Sequence, residues 1–288
     1  MTSTTGSTPQ SASRTVARAA VITHGKRGTI GPALARLATV AREAGVELLV
    51  GDDEAAKHEV APAGGNADGA DVAVVLGGDG TMLRALGRYL GTGVPVIGVN
   101  FGRVGFLSSI PAAQLETGVA RVFAGDFTSY ELPTLEVEVG EERRTAVNDL
   151  VVTSGVVGRM IQLEWAVGEE ELGQLACDGV VCATPSGSTG YNFSNGGPVL
   201  TWGLDAMCVT FVAPHSLNAR PLVVARGTDL IVWNRTVDLA ATVLVDGHSV
   251  VDLPPGSRVV ARIGEQRSLL ATLPEVTFFS RYSRTLAS

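Results

Sequence analysis

Asp79 stands inside Gly77-Gly78-Asp79-Gly80-Thr81, between the apolar run "VAVVL" and the helix-like stretch "TMLRALGRYLG". A glycine-rich strand-to-helix turn ordinarily receives an anion, because bare backbone N–H groups and the positive helix end converge there. Here the turn carries its own carboxylate, a group that can accept a proton from a hydroxyl or hold a metal ion. The spacing is not the dinucleotide fingerprint, since Leu83 stands where its last glycine belongs. Nor does the Gly-Lys-Ser/Thr ending of a phosphate loop follow. An aspartate in a tight turn or at a helix cap accounts for the same spacing. Its place at the carboxyl end of a strand, where open α/β sheets bind ligands, favours chemistry instead. Arg84, one helical turn on, is a candidate contact for an anionic ligand group or a solvated charge on the helix face.

A second concentration lies in "CDGVVCATPSGSTGYNFSNGGPVL", residues 177–200. Its hydroxyls and flexible backbone suit ribose and phosphate oxygens, with Tyr191 free to stack on a ring; a polar hairpin between two strands is the alternative. The run around Ser188 is not Gly-x-Ser-x-Gly and lacks the strand-to-helix setting of a nucleophile elbow. Asn148 and Asp149, within "AVNDLVV", place two polar groups in an apolar strand, which costs free energy unless they are paired or face a ligand. His215 beside a proline turn reads as structural, and Asp246 with His248 in "VDGHS" reads as a turn at a strand end. Cys177, Cys182 and Cys208 lack zinc spacing and sit in apolar segments, so reduced, partly buried thiols are expected.

These residues need two kinds of scaffold. The 288-residue chain exceeds the usual size of one core, so two domains are expected. From Val16 to about Pro111, short Val- and Ile-rich runs alternate with helical periods, which predicts a parallel sheet covered on both faces over 15–125. From 126 to 273 strand-like segments are punctuated by Gly, Pro, Asn and Asp, which predicts an all-β sandwich. The segment 274–288 is expected to return to the first domain, and the Ser/Thr-rich residues 1–14 to be a disordered tail. A net charge of −7 argues against a nucleic-acid or anionic-membrane footprint, so a polyanionic ligand would need local cations. No apolar run approaches a transmembrane helix and no signal core follows the N-terminus, which predicts a cytoplasmic protein.

Taken in order, "GGDGT", "VNFGRVGFL" (99–107), "AVNDLVV", "DGVVCATPSGSTGYNFSNGGP", "APHSLNARPLVV" and "VDGH" resemble the NAD kinase family. Diacylglycerol-type lipid kinases and phosphofructokinases carry runs like "GGDGT"; the long second motif separates them from this chain. The resemblance implies a Rossmann-like N-terminal α/β domain, a C-terminal β-sandwich, and ATP-dependent phosphorylation of the adenosine-ribose 2′-hydroxyl of NAD to give NADP. It implies Mg²⁺ or another divalent cation accompanying ATP, and homodimers or homotetramers in which a neighbouring subunit completes the site. Carried over residue by residue, Asp79 matches the proton acceptor, and Gly80 and Arg84 match ligand contacts of that turn and helix. Asn148 and Asp149 match a pair suited to the ribose and the nicotinamide end. Arg159, Asp178, Thr189, Gly190, Tyr191, Asn192, Phe193, Ser194 and His248 fall on further dinucleotide-contacting positions. Gly190 and Asn195 depart from the usual Ala, His248 from Gln or Asn, and Ala176 from an Arg that some members carry. Polyphosphate as donor stays open, as do two rivals, a lipid kinase and a dinucleotide sensor without catalysis.

Overall fold

A computed structural model describes residues 10–11, 15–59, 69–102 and 105–286. Of the N-terminal segment 1–14, all but Gln10 and Ser11 lie outside the described residues, as do Arg103 and Val104 of the run 99–107. Gln10 and Ser11 pair antiparallel with Ser129 and Thr128. Two compact units divide the chain: Leu132–Arg267 forms one, and the described residues before and after it form the other.

The α/β unit is built on a parallel sheet. Strand Val72–Gly77 lies between Arg18–Thr23 and Val96–Asn100, with Glu47–Leu49 beyond the first and Leu270 pairing with Val96 on the other side. Every residue of Val72–Gly77 is buried, as expected of an apolar run covered on both faces. Helices Arg27–Ala44 and Leu115–Phe123 cover one face, packing Leu34, Leu37, Val119 and Val122 against Val21, Val74, Ile97 and Val99. Helix Arg27–Ala44 ends at Gly45, whose left-handed φ of 69° lets its N–H reach the carbonyls of Ala41 and Arg42. Among the described residues three further α-helices belong to this unit, Asp52–His58, Asp79–Arg88 and Phe278–Thr285, the last capped by the Thr277 hydroxyl. Among the described residues no helix is long and apolar enough to cross a membrane.

The second unit is a β-sandwich. One sheet runs Leu222–Ala225, Ala206–Val212, Gly179–Ala183, Asp149–Ser154, Ala241–Val245, His248–Leu253, all antiparallel. The other includes Glu170–Cys177, Ile161–Val167, Leu230–Asn234 and the antiparallel stretch from Arg258 to Ala261. Alternate residues of Leu230–Asn234 and Ala241–Val245 are buried, so each strand presents one face inward. Leu163, Val232 and Ala261 from one sheet meet Val152, Cys182, Val209 and Val243 from the other in a single core. The cysteines are free and buried, and burial pushes the thiols of Cys177 and Cys208 up to about 12.

Candidate active site

Strand Val72–Gly77 ends against Gly78, and Asp79 is the first residue of helix Asp79–Arg88. Its carboxylate turns toward another segment, accepting the backbone N–H of Phe106 at 2.6 Å and of Leu107 at 3.1 Å. A Cβ on Gly105 would lie 2.2 Å from Asp79 Oδ1, so the missing side chain is what admits the carboxylate. One on Gly77 would lie 2.5 Å from Thr81 Oγ1, which ties that glycine to the tightness of the turn. Around Gly80 nothing lies within 4 Å of such an atom, leaving open space beside the aspartate. Each carboxylate oxygen can accept a second hydrogen bond, so the fixed group can still receive a hydroxyl proton.

Arg84 is not on the aspartate's side of the helix: five residues at 3.6 per turn carry it roughly 140° around. Its Nη2 donates to the Thr23 carbonyl at 2.6 Å and to Glu54 Oε1 at 3.2 Å. Glu54, whose side chain is 3% exposed, also accepts from the Thr23 N–H, the Thr23 hydroxyl and Lys57 Nζ. Burial pushes the Glu54 carboxyl up, yet Lys57 and Thr23 outweigh it and hold the group below its ordinary range. Arg84 thus lines, with Arg88, Lys57, Asp53 and Glu54, a cleft of about 580 Å³.

In the sandwich the expected strand across Asn148 begins one residue later, at Asp149. The reason is Asp246, in the turn between Ala241–Val245 and His248–Leu253, with a left-handed φ of 50°. Its carboxylate accepts three successive backbone N–H groups, from Val147 at 2.9 Å, Asn148 at 2.7 Å and Asp149 at 3.2 Å. Groups that a strand would aim at neighbouring strands are here aimed at one anion. Beside it the buried Asp149 carboxyl is pushed up to about 7, first by burial and then by the charge of Asp246.

The hydroxyl-rich loop closes over the same place. It is not a hairpin but a tight 3₁₀ turn, Gly187–Thr189, followed by the helical turn Tyr191–Ser194. Gly187 packs so closely that a Cβ there would lie 2.1 Å from the Asn148 carbonyl oxygen. Ser186 Oγ donates to Asn148 Oδ1 at 3.1 Å, and the Thr184 hydroxyl bridges the Val147 carbonyl and the Gly187 N–H. Asn192 is fully buried, donating to the carbonyls of Ser188 and Pro198 and accepting from Thr210, so its side chain anchors the loop. Tyr191, Phe193 and Ser194 stay exposed with Gly190, while Thr189 bonds the Ser186 carbonyl at 3.1 Å. His248 is exposed, its Nδ1 2.9 Å from the Asp246 carbonyl oxygen.

Asn148, Asp149, His248 and the loop 184–194 are therefore brought together, with Asp246 as the group that sets them. Arg159 and Asp178 are not among them. They sit where Gly179 pairs with Thr153, at the other end of strand Gly179–Ala183, with Arg159 bonded to Asp238 at 3.0 Å. At about 3.3 Å per residue, roughly 20 Å of chain separates Asp178 from Thr184.

An α/β unit together with a β-sandwich is a fold shared with kinases of known structure. Yeast NADH kinase complexed with NADH matches it with a TM-score of 0.82 at 20% identity, covering 95% of this chain and 88% of that one. An NAD kinase from Archaeoglobus fulgidus in complex with ATP matches with a TM-score of 0.74 at 24% identity, covering 94% and 97%. The family described as the ATP-NAD kinase N-terminal domain matches residues 47–127, and that described as the ATP-NAD kinase C-terminal domain matches 147–273. The NAD kinase of Heliobacterium modesticaldum is 38% identical over 73% of this chain and 76% of its own length. That of Bifidobacterium longum is 34% identical over 91% and 79%. The chain belongs to the NAD kinase family.

Two substitutions test this geometry. Gly105→Ala is expected to displace the Asp79 carboxylate from its two N–H donors, at a stability cost of about 1–2 kcal/mol, while catalytic turnover falls far more than dinucleotide affinity. Parallel losses in both would contradict it. For Asp149, a folded value near 7 against an ordinary 3.8 means that the folded chain holds a proton the unfolded chain has lost between those values. Its contribution to stability therefore falls as pH rises through that window. Asp149→Asn is expected to leave Tm unchanged at about pH 4 and to raise it at about pH 8; an equal change at both would remove the assignment.

Proposed function

We propose that this chain transfers a phosphoryl group from ATP to the 2′-hydroxyl of the adenosine ribose of NAD, giving NADP. The observation that carries the reading is the Asp79 carboxylate, oriented by the Phe106 and Leu107 N–H groups beside the open space at Gly80. In this reading Asp79 takes the hydroxyl proton as the oxygen attacks the terminal phosphorus. Phosphoryl transfer depends mainly on positioning and charge neutralisation, and Mg²⁺ carried with ATP supplies much of the latter. Asn148 and Asp149 hydrogen-bond the ribose and nicotinamide end, and the loop from Thr189 to Ser194 with His248 lines the dinucleotide. Arg84, held at Nη2, has further guanidinium donors for an anionic ligand group. Lipid kinase activity is disfavoured by the net charge of −7, and loss of catalysis by the fixed aspartate. We place the reaction in the cytoplasm, as the sequence reading expects.

The distance of Arg159 and Asp178 from the Asn148–Asp149 cluster supports a homodimer or homotetramer in which they serve the dinucleotide of a neighbouring copy.

With purified protein, NAD, ATP and Mg²⁺, Asp79→Asn is expected to bind NAD within about threefold of wild type and to lose turnover by about 100-fold or more. Near wild-type kcat would sink the base assignment. Replacing ATP by polyphosphate, and NAD by a lipid alcohol, in the same assay resolves donor and acceptor. Mixing subunits tests the neighbour's role. If Asp178 acts across copies, co-refolding Asp79→Asn with Asp178→Ala restores about a quarter of wild-type activity in random dimers, since one site of each mixed pair is intact. No restoration places Asp178 in its own chain's site.

A further inference from the structure

The structure assigns a positioning role to Arg281, a residue outside every motif that carries the family resemblance; the inference rests on the reading of Asp79 as proton acceptor. Arg281 lies on helix Phe278–Thr285 and is completely buried. Its Nη1 donates to the Phe106 carbonyl at 2.6 Å and to the Ser108 carbonyl at 2.8 Å. The Phe106 carbonyl shares its peptide group with the Leu107 N–H that Asp79 accepts, and the Ser108 carbonyl lies just beyond it.

One short piece of backbone is thereby gripped from two directions, its N–H groups by the carboxylate and its C=O groups by the guanidinium. Residues 105–109 belong to neither helix nor strand, so no regular ladder of hydrogen bonds sets the angle at which those N–H groups point. Arg281 sets it. The peptide group joining Phe106 to Leu107 has the cation at its carbonyl and the anion at its amide, and is polarised in the sense that strengthens both contacts. Burial lowers the guanidinium to about 10, opposed by the charge of Asp79, so Arg281 remains a cation at neutral pH. The helix is seated on the same segment by Phe278, whose ring meets that of Phe106 edge-on at 5.4 Å.

Packing alone does not require this residue: an apolar side chain of similar volume fills a buried space without desolvating a charge. What a buried cationic donor supplies here is one nitrogen, Nη1, held at once by two carbonyls two residues apart, which no apolar side chain can do. Displacing them would swing the amides on which Asp79 rests, and misplacing a reacting group by about 1 Å is worth about 100-fold in rate.

The test uses the full chain as wild type, Arg281→Lys and Arg281→Gln, measuring Tm, the Kd for NAD and kcat for NADP formation. Both variants are expected to bind NAD within about threefold of wild type, with kcat lower by about 10-fold for lysine and about 100-fold for glutamine. If the glutamine variant is not folded at the assay temperature, the lysine variant, which keeps the charge, decides. Wild-type kcat in a folded variant overturns the inference. So does a fall in kcat matched by the loss of folded protein or of NAD affinity, which would make Arg281 structural only. A wild-type chain that forms no NADP overturns the kinase reading, and the inference with it.

Discussion

Asp79 keeps its place because two amide groups of an irregular segment are aimed at it, from Phe106 and Leu107. Much of the α/β unit serves that pair of contacts. The buried strand Val72–Gly77 delivers the aspartate to the carboxyl end of the sheet, and the helix that follows fixes the direction from which it starts. Gly105 supplies the clearance, and the next strand, Val96–Asn100, begins the connection that brings the segment alongside. Such a carboxylate differs from a surface one in having little freedom left to lose when a substrate arrives, which is the basis of preorganised catalysis.

The sandwich uses the same device on a different scale. Asp246 gathers three backbone N–H groups, each hydrogen bond to the charged group worth about 1.5–3 kcal/mol, yet burial outweighs them and the carboxyl is pushed up. Those N–H groups oppose the effect of burial on Asp246, whereas burial and the neighbouring charge act together on Asp149. Both carboxyls are thus pushed up, and Asp149, at about 7, changes charge near neutral pH.

How much of this is legible in the sequence depends on where the cause lies. Parallel strands announce themselves, because Val72–Gly77 and Val96–Asn100 are short β-branched runs bounded by turn residues. The helix Asp52–His58 has no apolar stripe to reveal it, since its buried residues are Glu54 and Ala55 and its partners are ionic. Strands Glu142–Ala146 and Glu170–Cys177 are mostly exposed, so they lack the alternation that marks a half-buried strand. Composition leaves the loop after Pro185 open between a ligand-binding loop and a polar hairpin, whereas Asn192, buried and bonded on three sides, winds it into helical turns. Glycine spacing points to Asp79; nothing local points to its partners, because they are backbone amides, and Arg281 meets the same segment from 175 residues away.

That sequence separation has a bearing on how the protein is made. The sandwich is one continuous stretch, whereas the other unit is interrupted by it, and residues such as Ala271 and Leu273 complete a core begun by Val16 and Ala19. During synthesis the sandwich can fold as soon as it has emerged, while the sheet that carries Asp79 waits unfinished for a stretch translated more than a hundred residues later. The nascent chain thus carries strand Val96–Asn100 without the Leu270 pairing, and its core without Ala271 and Leu273, while the whole sandwich is translated.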